Sequence, residues 1–480
     1  MFDVLVIGAG VTGCCIIRNL AQYNLKLAIV DKYTEPAGES TKANSGIIHA
    51  GHHSPPETLK GQLVTKGNSA FDKLQNELHF GFKRCGELLI AQSTEELPEL
   101  RKIENIAKLK NIEYEIWDQK TIRNKEPNLA HHIVEGIFTP SAGVINPYEF
   151  TMATLENAIS NGVNFINNSI VTEIIKHTKH FEIIIRNTAT KKLLTIQTKF
   201  IVNAAGVHAD KIAALAGADN FTIHPRIGEE YLLDKKYAQT VKSLIFPIPT
   251  PISKGILLIP TVDGPLMIGP TAVNTDDREN TPTTPEGAEK IFSYAQKICP
   301  SIDPRDTIAH FAGLRAVSHN NDFIIEPSPV KAFINAAGIQ SPGLTAAPAI
   351  ADLIAEILKN EGLQLSPAKN FNPERKPIRR FENMTFEEKQ QAILKNPDYA
   401  KIVCACELVT KADVHDAINA GATTLDGIKF RTRAGMGPCQ SGFCTPMLME
   451  ILAEKLQIPI EQVTKKSPAS NLLFTKNDDD

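Results

Sequence analysis

Four consecutive aliphatic residues, Val4-Leu5-Val6-Ile7, run without a break into Gly8-Ala9-Gly10-Val11-Thr12-Gly13. Such a run has no polar side to turn to water, so it reads as a strand covered on both faces in a parallel sheet. A helical pattern follows from Cys14 to Tyr23, and a second strand, Lys26 to Val30, ends on Asp31. The unit is a βαβ fold in which the first glycine permits a tight turn, the second lets the backbone approach a diphosphate, and the third lets helix and strand pack closely. The diphosphate then meets the helix N-terminus, and an acid about 20 residues on accepts from a ribose hydroxyl. The pattern asks for a dinucleotide and leaves NAD and FAD both open.

Composition narrows what can be attached to that unit. A chain of 480 residues corresponds to about three domains and buries a sizeable core. Its 51 Lys and Arg against 54 Asp and Glu leave a net charge of −3, which excludes nucleic-acid binding through a basic surface. Eight cysteines are too few for a disulfide scaffold, and the opening carries no basic segment of a signal peptide. The expectation is a cytoplasmic chain with reduced thiols, with peripheral contact to the inner face of the membrane through a partner left open. Apolar runs such as Ile256 to Ile259 fall far short of the roughly 18 residues a membrane span needs.

Two later segments repeat one ending: Phe200 to Gly206 and Phe333 to Gly338 are both short apolar strands that close on Asn-Ala-Ala-Gly. In an open α/β sheet ligands lie outside the carboxyl ends of the strands, and small terminal residues let a bulky cofactor rest on backbone. Three glycine-terminated strands spread from Gly8 to Gly338 suit one long cofactor. Between them come a helix over Phe150 to Ser160, strands at Val171 to Ile175 and Phe181 to Arg186, and, from His224 to about Phe311, strand runs separated by Pro and Gly.

The fingerprint, the stretch Ala43-Asn44-Ser45-Gly46-Ile47-Ile48-His49-Ala50-Gly51, Asn203 to Asp210, Gly313-Leu314-Arg315 and Asn335 to Gly343 together resemble the D-amino-acid-oxidase-like superfamily of FAD enzymes. Within it the Asn-Ser-Gly-x-x-His-x-Gly stretch is most similar to the FAD-dependent glycerol-3-phosphate dehydrogenases of the anaerobic, subunit-A kind. The resemblance implies an α/β fold with a Rossmann-like FAD-binding domain and an inserted antiparallel β substrate domain. It implies FAD contacts at Gly8, Gly10, Gly13, Asp31, Lys32, Thr41, Asn44, Ser45, Gly46, Ile47, Val171, Ala205, Gly206, Gly313, Gly338, Ile339, Gly343 and Leu344. Asp31 departs from the Glu that many relatives carry, and either carboxylate holds a ribose. His49 is the implied acceptor of an alcohol proton, since an imidazole titrates near neutrality. Arg315, Lys254 and Arg226 are the candidates for holding an anionic substrate, and a guanidinium fork suits phosphate and carboxylate equally. His52 and His53 follow closely, but their Gly-rich segment with no nearby Cys argues against zinc.

Near the C-terminus Cys404-Ala405-Cys406 is followed by Cys439-Gln440-Ser441-Gly442-Phe443-Cys444. Four thiolates spaced C-x-C and C-x4-C define a metal site, and the C-x-C start disfavours zinc, which favours wider spacing. This stretch, with Thr410-x-x-Asp413-Val414 and Arg431-Thr432-Arg433-Ala434-Gly435-Met436-Gly437, resembles the bacterioferritin-associated-ferredoxin (BFD-like) [2Fe–2S] domain, a small helical unit in which Thr410 caps a helix. Arg431 and Arg433 are expected to offset the charge of the cluster. The expected organisation is an FAD-dependent oxidoreductase over 1–365, with substrate-domain segments at about 52–145 and 224–311, a linker with one charged helix over 366–397, the [2Fe–2S] domain over 398–460, and a tail over 461–480 that is solvated and disordered after Val463. The resemblance implies oxidation of sn-glycerol 3-phosphate by hydride transfer to flavin, with electrons leaving through the cluster to a partner subunit or quinone. A 2-hydroxy acid or amine dehydrogenase, and a non-catalytic electron-transfer subunit, are the alternatives.

Overall fold

The strand Phe2–Ile7 sits between two parallel neighbours, Leu27–Val30 on one side and Leu193–Asn203 on the other, with Val4 opposite both Leu27 and Phe200. The structure, a computed structural model, describes residues 1–250 and 254–474. The strand Phe333–Ala337 joins Leu193–Asn203 in parallel, so that Ile7, Asn203 and Asn335 stand level at the carboxyl end of the sheet. That alignment gives the repeated Asn-Ala-Ala-Gly a physical meaning. Asn203 Nδ2 donates to Asn335 Oδ1 at 3.0 Å and to Ala209 O at 2.8 Å, and both asparagines are fully buried. Among the described residues eight strands make up this sheet, its far edge formed by the antiparallel Ser169–Lys176 and Phe181–Asn187.

Four helices bury their apolar faces on one side of it: Val11–Leu20, Leu59–Leu78, Pro147–Ser160 and Gly343–Asn360. Leu63, Phe71 and Leu78 thus belong to the core of the dinucleotide fold, although a substrate segment starting at residue 52 was expected to carry them away from it. The amphipathic pattern of that helix states only that one face is buried; which core receives it is a tertiary matter.

Among the described residues the second sheet has nine strands, with Thr307–Ser318 paired along Ile223–Leu233. It extends past the expected limit of Phe311 and so carries Gly313 and Arg315 within a strand. It is antiparallel except at one seam, where Leu244–Pro247 runs parallel to Glu87–Ile90. The two chain segments that build it meet there with nothing local to set their direction.

The C-terminal part has its own core, centred on Val414, Ile428 and Leu452, under a short hairpin of Ile402–Cys404 and Val409–Thr410 and three helices. Thr410 forms a capping box with Asp413 at the head of Lys411–Asn419. Before it, Phe386–Lys395 forms a helix capped by Thr385, none of whose residues is buried. The expected disordered tail is corrected over its first part: Leu425 N–H donates to Thr464 O at 3.1 Å and Asp426 N–H to Lys465 O at 2.8 Å, and Thr464 bridges Asn471. Its end, residues 475–480, lies outside the described residues. No helix among the described residues is long and apolar enough to cross a membrane.

Candidate active site and cluster centre

The fingerprint turn leaves room only for glycine. Gly8 has φ of +106°, and a Cβ there would stand 2.4 Å from Ala204 O; a Cβ on Gly13 would stand 1.9 Å from Gly8 O. Gly10 heads the helix Val11–Leu20 with no side-chain cap and no acid in the first turn, so the positive end of the helix is open to an anion. Asp31 braces this turn. Its oxygens accept from Ala9 N–H at 2.7 Å and Tyr33 N–H at 2.9 Å, and burial pushes its carboxyl up to about 6. Lys32 pairs with Glu39 at 2.5 Å.

From the fingerprint a cleft of about 400 Å³ runs to the second sheet. Gly10, Thr41, Asn44, Ser45, Ile47, Gly206, Gly313, Ile339, Gly343 and Leu344 border it, as do His49, Arg226, Lys254 and Arg315. Gly8, Gly13, Asp31, Lys32, Gly46, Val171, Ala205 and Gly338 do not border it; Val171 is buried in the core behind the sheet. A flavin dinucleotide fits this arrangement, because Gly206, with φ of +56°, has no atom within 4 Å of where a Cβ would stand and offers bare backbone to a flat ligand.

The far end of the cleft collects the charged side chains. Lys254 Nζ lies 3.3 Å from His49 Nε2 and 3.1 Å from Ser341 Oγ. Burial lowers the Lys254 ammonium to about 8, and burial together with Lys254 lowers His49 to about 3. The backbone of His49 is held at both ends, its N–H donating to Thr345 Oγ1 at 3.0 Å and its carbonyl accepting from Asn68 Nδ2 at 2.8 Å. Arg315 donates to Thr271 O at 3.2 Å, and Arg226 to Asn274 Oδ1 at 2.8 Å. Beside Arg315, burial raises Glu230 to about 7, and Ser45 Oγ donates to it at 2.5 Å.

Glu87, Glu230, Ser341 and Thr345 escape a reading of the sequence. Glu87 is the first residue of an apolar strand, where an acid reads as a solvated end. It is instead fully buried under His49, His52 and His53.

In the C-terminal part the four thiols meet in two pairs. Cys406 Sγ lies 3.6 Å from Cys439 Sγ, and Cys404 faces Cys444, the residue that heads the helix Thr445–Leu456. All are free thiols. The Cys444 thiol, with backbone N–H groups of Gly435 and Glu407, draws Cys404 down to about 6 against burial, which favours the thiolate an iron–sulfur centre needs. Gly437 passes so close to Cys406 that a Cβ would stand 2.2 Å from its Cβ. The expected role of Arg431 and Arg433 is corrected. Arg431 reaches Glu35 and Glu156, and Arg433 reaches Glu407 and Asp263, because buried carboxylates of the neighbouring domain and of the cluster loop compete for both guanidiniums.

A dinucleotide turn opening onto a cleft that ends in an imidazole, an amine and a guanidinium, joined to a four-thiol centre, defines a flavin and iron–sulfur oxidoreductase. The chain belongs to the FAD dependent oxidoreductase family, whose model matches residues 3–357, and residues 402–454 match the BFD-like [2Fe–2S] binding domain. Its cofactors are FAD and a [2Fe–2S] cluster. It is 41% identical to a glycerol 3-phosphate dehydrogenase of Caloramator mitchellensis over 98% of both chains. It is 31% identical to a glycerol 3-phosphate oxidase of Mycoplasma genitalium, over 77% of this chain and 97% of the relative. Among solved structures, the FAD-bound, dithionite-reduced L-alpha-glycerophosphate oxidase of Mycoplasma pneumoniae superposes with a TM-score of 0.74 at 28% identity, over 78% of this chain and 98% of that one.

Proposed function

We propose that this FAD-dependent oxidoreductase converts sn-glycerol 3-phosphate to dihydroxyacetone phosphate. The observation that carries the reading is the meeting of an uncharged imidazole, His49, with Lys254 at 3.3 Å and with Arg315 at the same end of one cleft. A relative matched over 98% of both chains, a glycerol 3-phosphate dehydrogenase, supports the choice of substrate. When bound, FAD supplies the hydride acceptor and the [2Fe–2S] cluster a one-electron outlet.

The chain's own side chains do the rest. Arg315 offers a planar fork to the phosphate, and Lys254 and Arg226 add positive charge around it. His49, lowered to about 3, is neutral at physiological pH and keeps a lone pair on Nε2 for the hydroxyl proton as hydride leaves carbon 2. The cleft-side FAD contacts of the reading are those that border the cleft, with Gly8, Gly13 and Asp31 shaping the turn beneath. Cys404, Cys406, Cys439 and Cys444 are the proposed ligands of the cluster.

The outlet is proposed to be a partner subunit or quinone. Cys406 is exposed, and Phe443, next to Cys444, is 84% exposed, as a centre that hands electrons to another molecule requires. Cytoplasmic residence, with contact to the inner membrane face through that partner, belongs to the same proposal.

Anaerobic mixing of the holoenzyme with glycerol 3-phosphate tests the reading. The flavin band is expected to bleach with this substrate and to persist with L-2-hydroxyglutarate or amino acids. The reverse pattern selects the 2-hydroxy-acid or amine alternative, and bleaching by none selects the electron-transfer subunit. His49→Ala is expected to keep FAD and slow the reduction about 10²–10⁴-fold. A near-normal rate removes His49 from the step.

A further inference from the structure

Behind His49, on the side away from Lys254, lies a buried group of three side chains. Glu87 and the side chain of His52 are fully buried, and the side chain of His53 is 3% exposed. Oε1 of Glu87 is hydrogen-bonded to His53 Nε2 and lies 2.9 Å from His52 Nε2. Oε2 faces Nδ1 of His49 at 3.9 Å. These two atoms are both buried, and neither has a hydrogen-bond partner among the described residues. Catalytic hydrogen bonds are often long before substrate arrives, and a movement of about 1 Å closes this one.

A carboxylate with no access to water is costly unless its charge has a task or a partner. The titratable groups facing Glu87 are His49, His52 and His53 from the loop above it, Lys254 beyond His49, and Cys85 on its own approach. The backbone hydrogen bonds of His49 fix its Cα but not its ring. The ring meets Lys254 and Ser341 at Nε2 and Phe246 on its edge, and its other nitrogen, Nδ1, faces only Glu87 among the carboxylates of the described residues.

We propose that Glu87 is the positioning residue of His49: Oε2 holds the Nδ1 proton, which turns the Nε2 lone pair to the cleft, while His53 holds Oε1 and His52 packs beside it. The proposal rests on the reading that His49 takes the substrate's proton. In the step, the hydroxyl proton passes to Nε2, the hydride passes from carbon to flavin, and the hydroxyl oxygen becomes the ketone oxygen. The Nδ1 proton stays on the ring, and Glu87 remains ionised and stabilises the imidazolium, as the aspartate of a serine-protease triad does.

The test uses the holoenzyme and its Glu87→Gln, Glu87→Asp, His49→Ala and double His49→Ala, Glu87→Gln variants, followed by anaerobic flavin reduction with glycerol 3-phosphate. Glu87→Gln is expected to keep FAD and to reduce about 10²-fold or more slowly, with the double variant no slower than His49→Ala, because the two residues act as one unit. The alkaline limb of the rate profile, set by Lys254, is expected to move to lower pH, since Glu87 is the carboxylate that raises Lys254. A purely packing role does not move that limb. Glu87→Asp keeps the charge one methylene back and is expected to recover part of the rate. It also serves if Glu87→Gln loses its flavin. A parent-like rate in Glu87→Gln or Glu87→Asp beside a slow His49→Ala overturns the role of Glu87 alone, whereas a parent-like His49→Ala overturns the underlying reading. Multiplying effects in the double variant, or a stoichiometric divalent metal lost from Glu87→Gln and His53→Asn, also overturn the proposal, the latter in favour of a metal centre.

Discussion

Arg431 Nη1 stands 2.9 Å from Glu35 Oε2, joining the cluster-bearing part to the turn that follows Asp31 in the dinucleotide fold. The same guanidinium places Nε 2.9 Å from Glu156 Oε1 on the helix Pro147–Ser160, and all three side chains are largely withdrawn from water. Arg433 makes a second link, to Glu407 beside Cys406 and to Asp263 of the substrate sheet. Two buried arginines thus hold the thiol centre in one orientation against the flavin fold.

Replacing Arg431 with Met is expected to leave Glu35 buried without a cation and to destabilise the junction by about 3–5 kcal/mol. Differential scanning calorimetry should show the C-terminal part melting ahead of the remainder, with protease cleavage appearing between residues 366 and 397. An unchanged melt and unchanged proteolysis contradict the assignment.

Gly228 clears the space that Arg315 occupies. A Cβ on residue 228 would stand 2.5 Å from Nη2 and 2.6 Å from Nη1. Gly228→Ala must displace the guanidinium, and a charged hydrogen bond is worth about 1.5–3 kcal/mol. Steady-state kinetics are expected to give a KM for glycerol 3-phosphate raised about 10–100-fold with FAD content unchanged; an unaltered KM removes Arg315 from substrate binding.

Glu230 titrates at about 7 in the folded chain against an ordinary value of 4.5, chiefly through burial, with Ser45 and Arg315 drawing it partly back. The native state holds this proton more tightly than the unfolded chain, so the contribution is fully present below pH 4.5 and lost as pH rises through 7. Glu230→Gln is therefore expected to be more stable than the parent at pH 8, by about 1–3 kcal/mol, and equal to it near pH 4.5. Chemical denaturation at the two pH values checks the sign.

The elements that were legible are those whose signal is local. The turn Gly8 to Gly13 announces itself because three glycines at fixed spacing follow a strand, and the capping box of Thr410 with Asp413 lies within one helical turn. The helix Leu59–Leu78 went unread within the expected substrate segment, and its core could not be named either, since an apolar stripe does not name its partner. Arg431 and Arg433 stand near the cysteines in the chain, and nearness in the chain misdirected their assignment.

Sequence alone determined the dinucleotide fold and the four thiols, because residue type and short spacing carry those features, while the candidacy of His49 came from a resemblance to a family. Tertiary structure decided which charges meet. Glu35 and Arg431 are separated by 396 positions, and no periodicity spans that interval. Glu87 became a buried carboxylate only when its strand was laid under the loop bearing three histidines, and Glu230 a proton-holding acid only when the sheet closed over the cleft. Burial turns such residues from solvated charges into groups that must be matched, and burial is a property of the assembled chain.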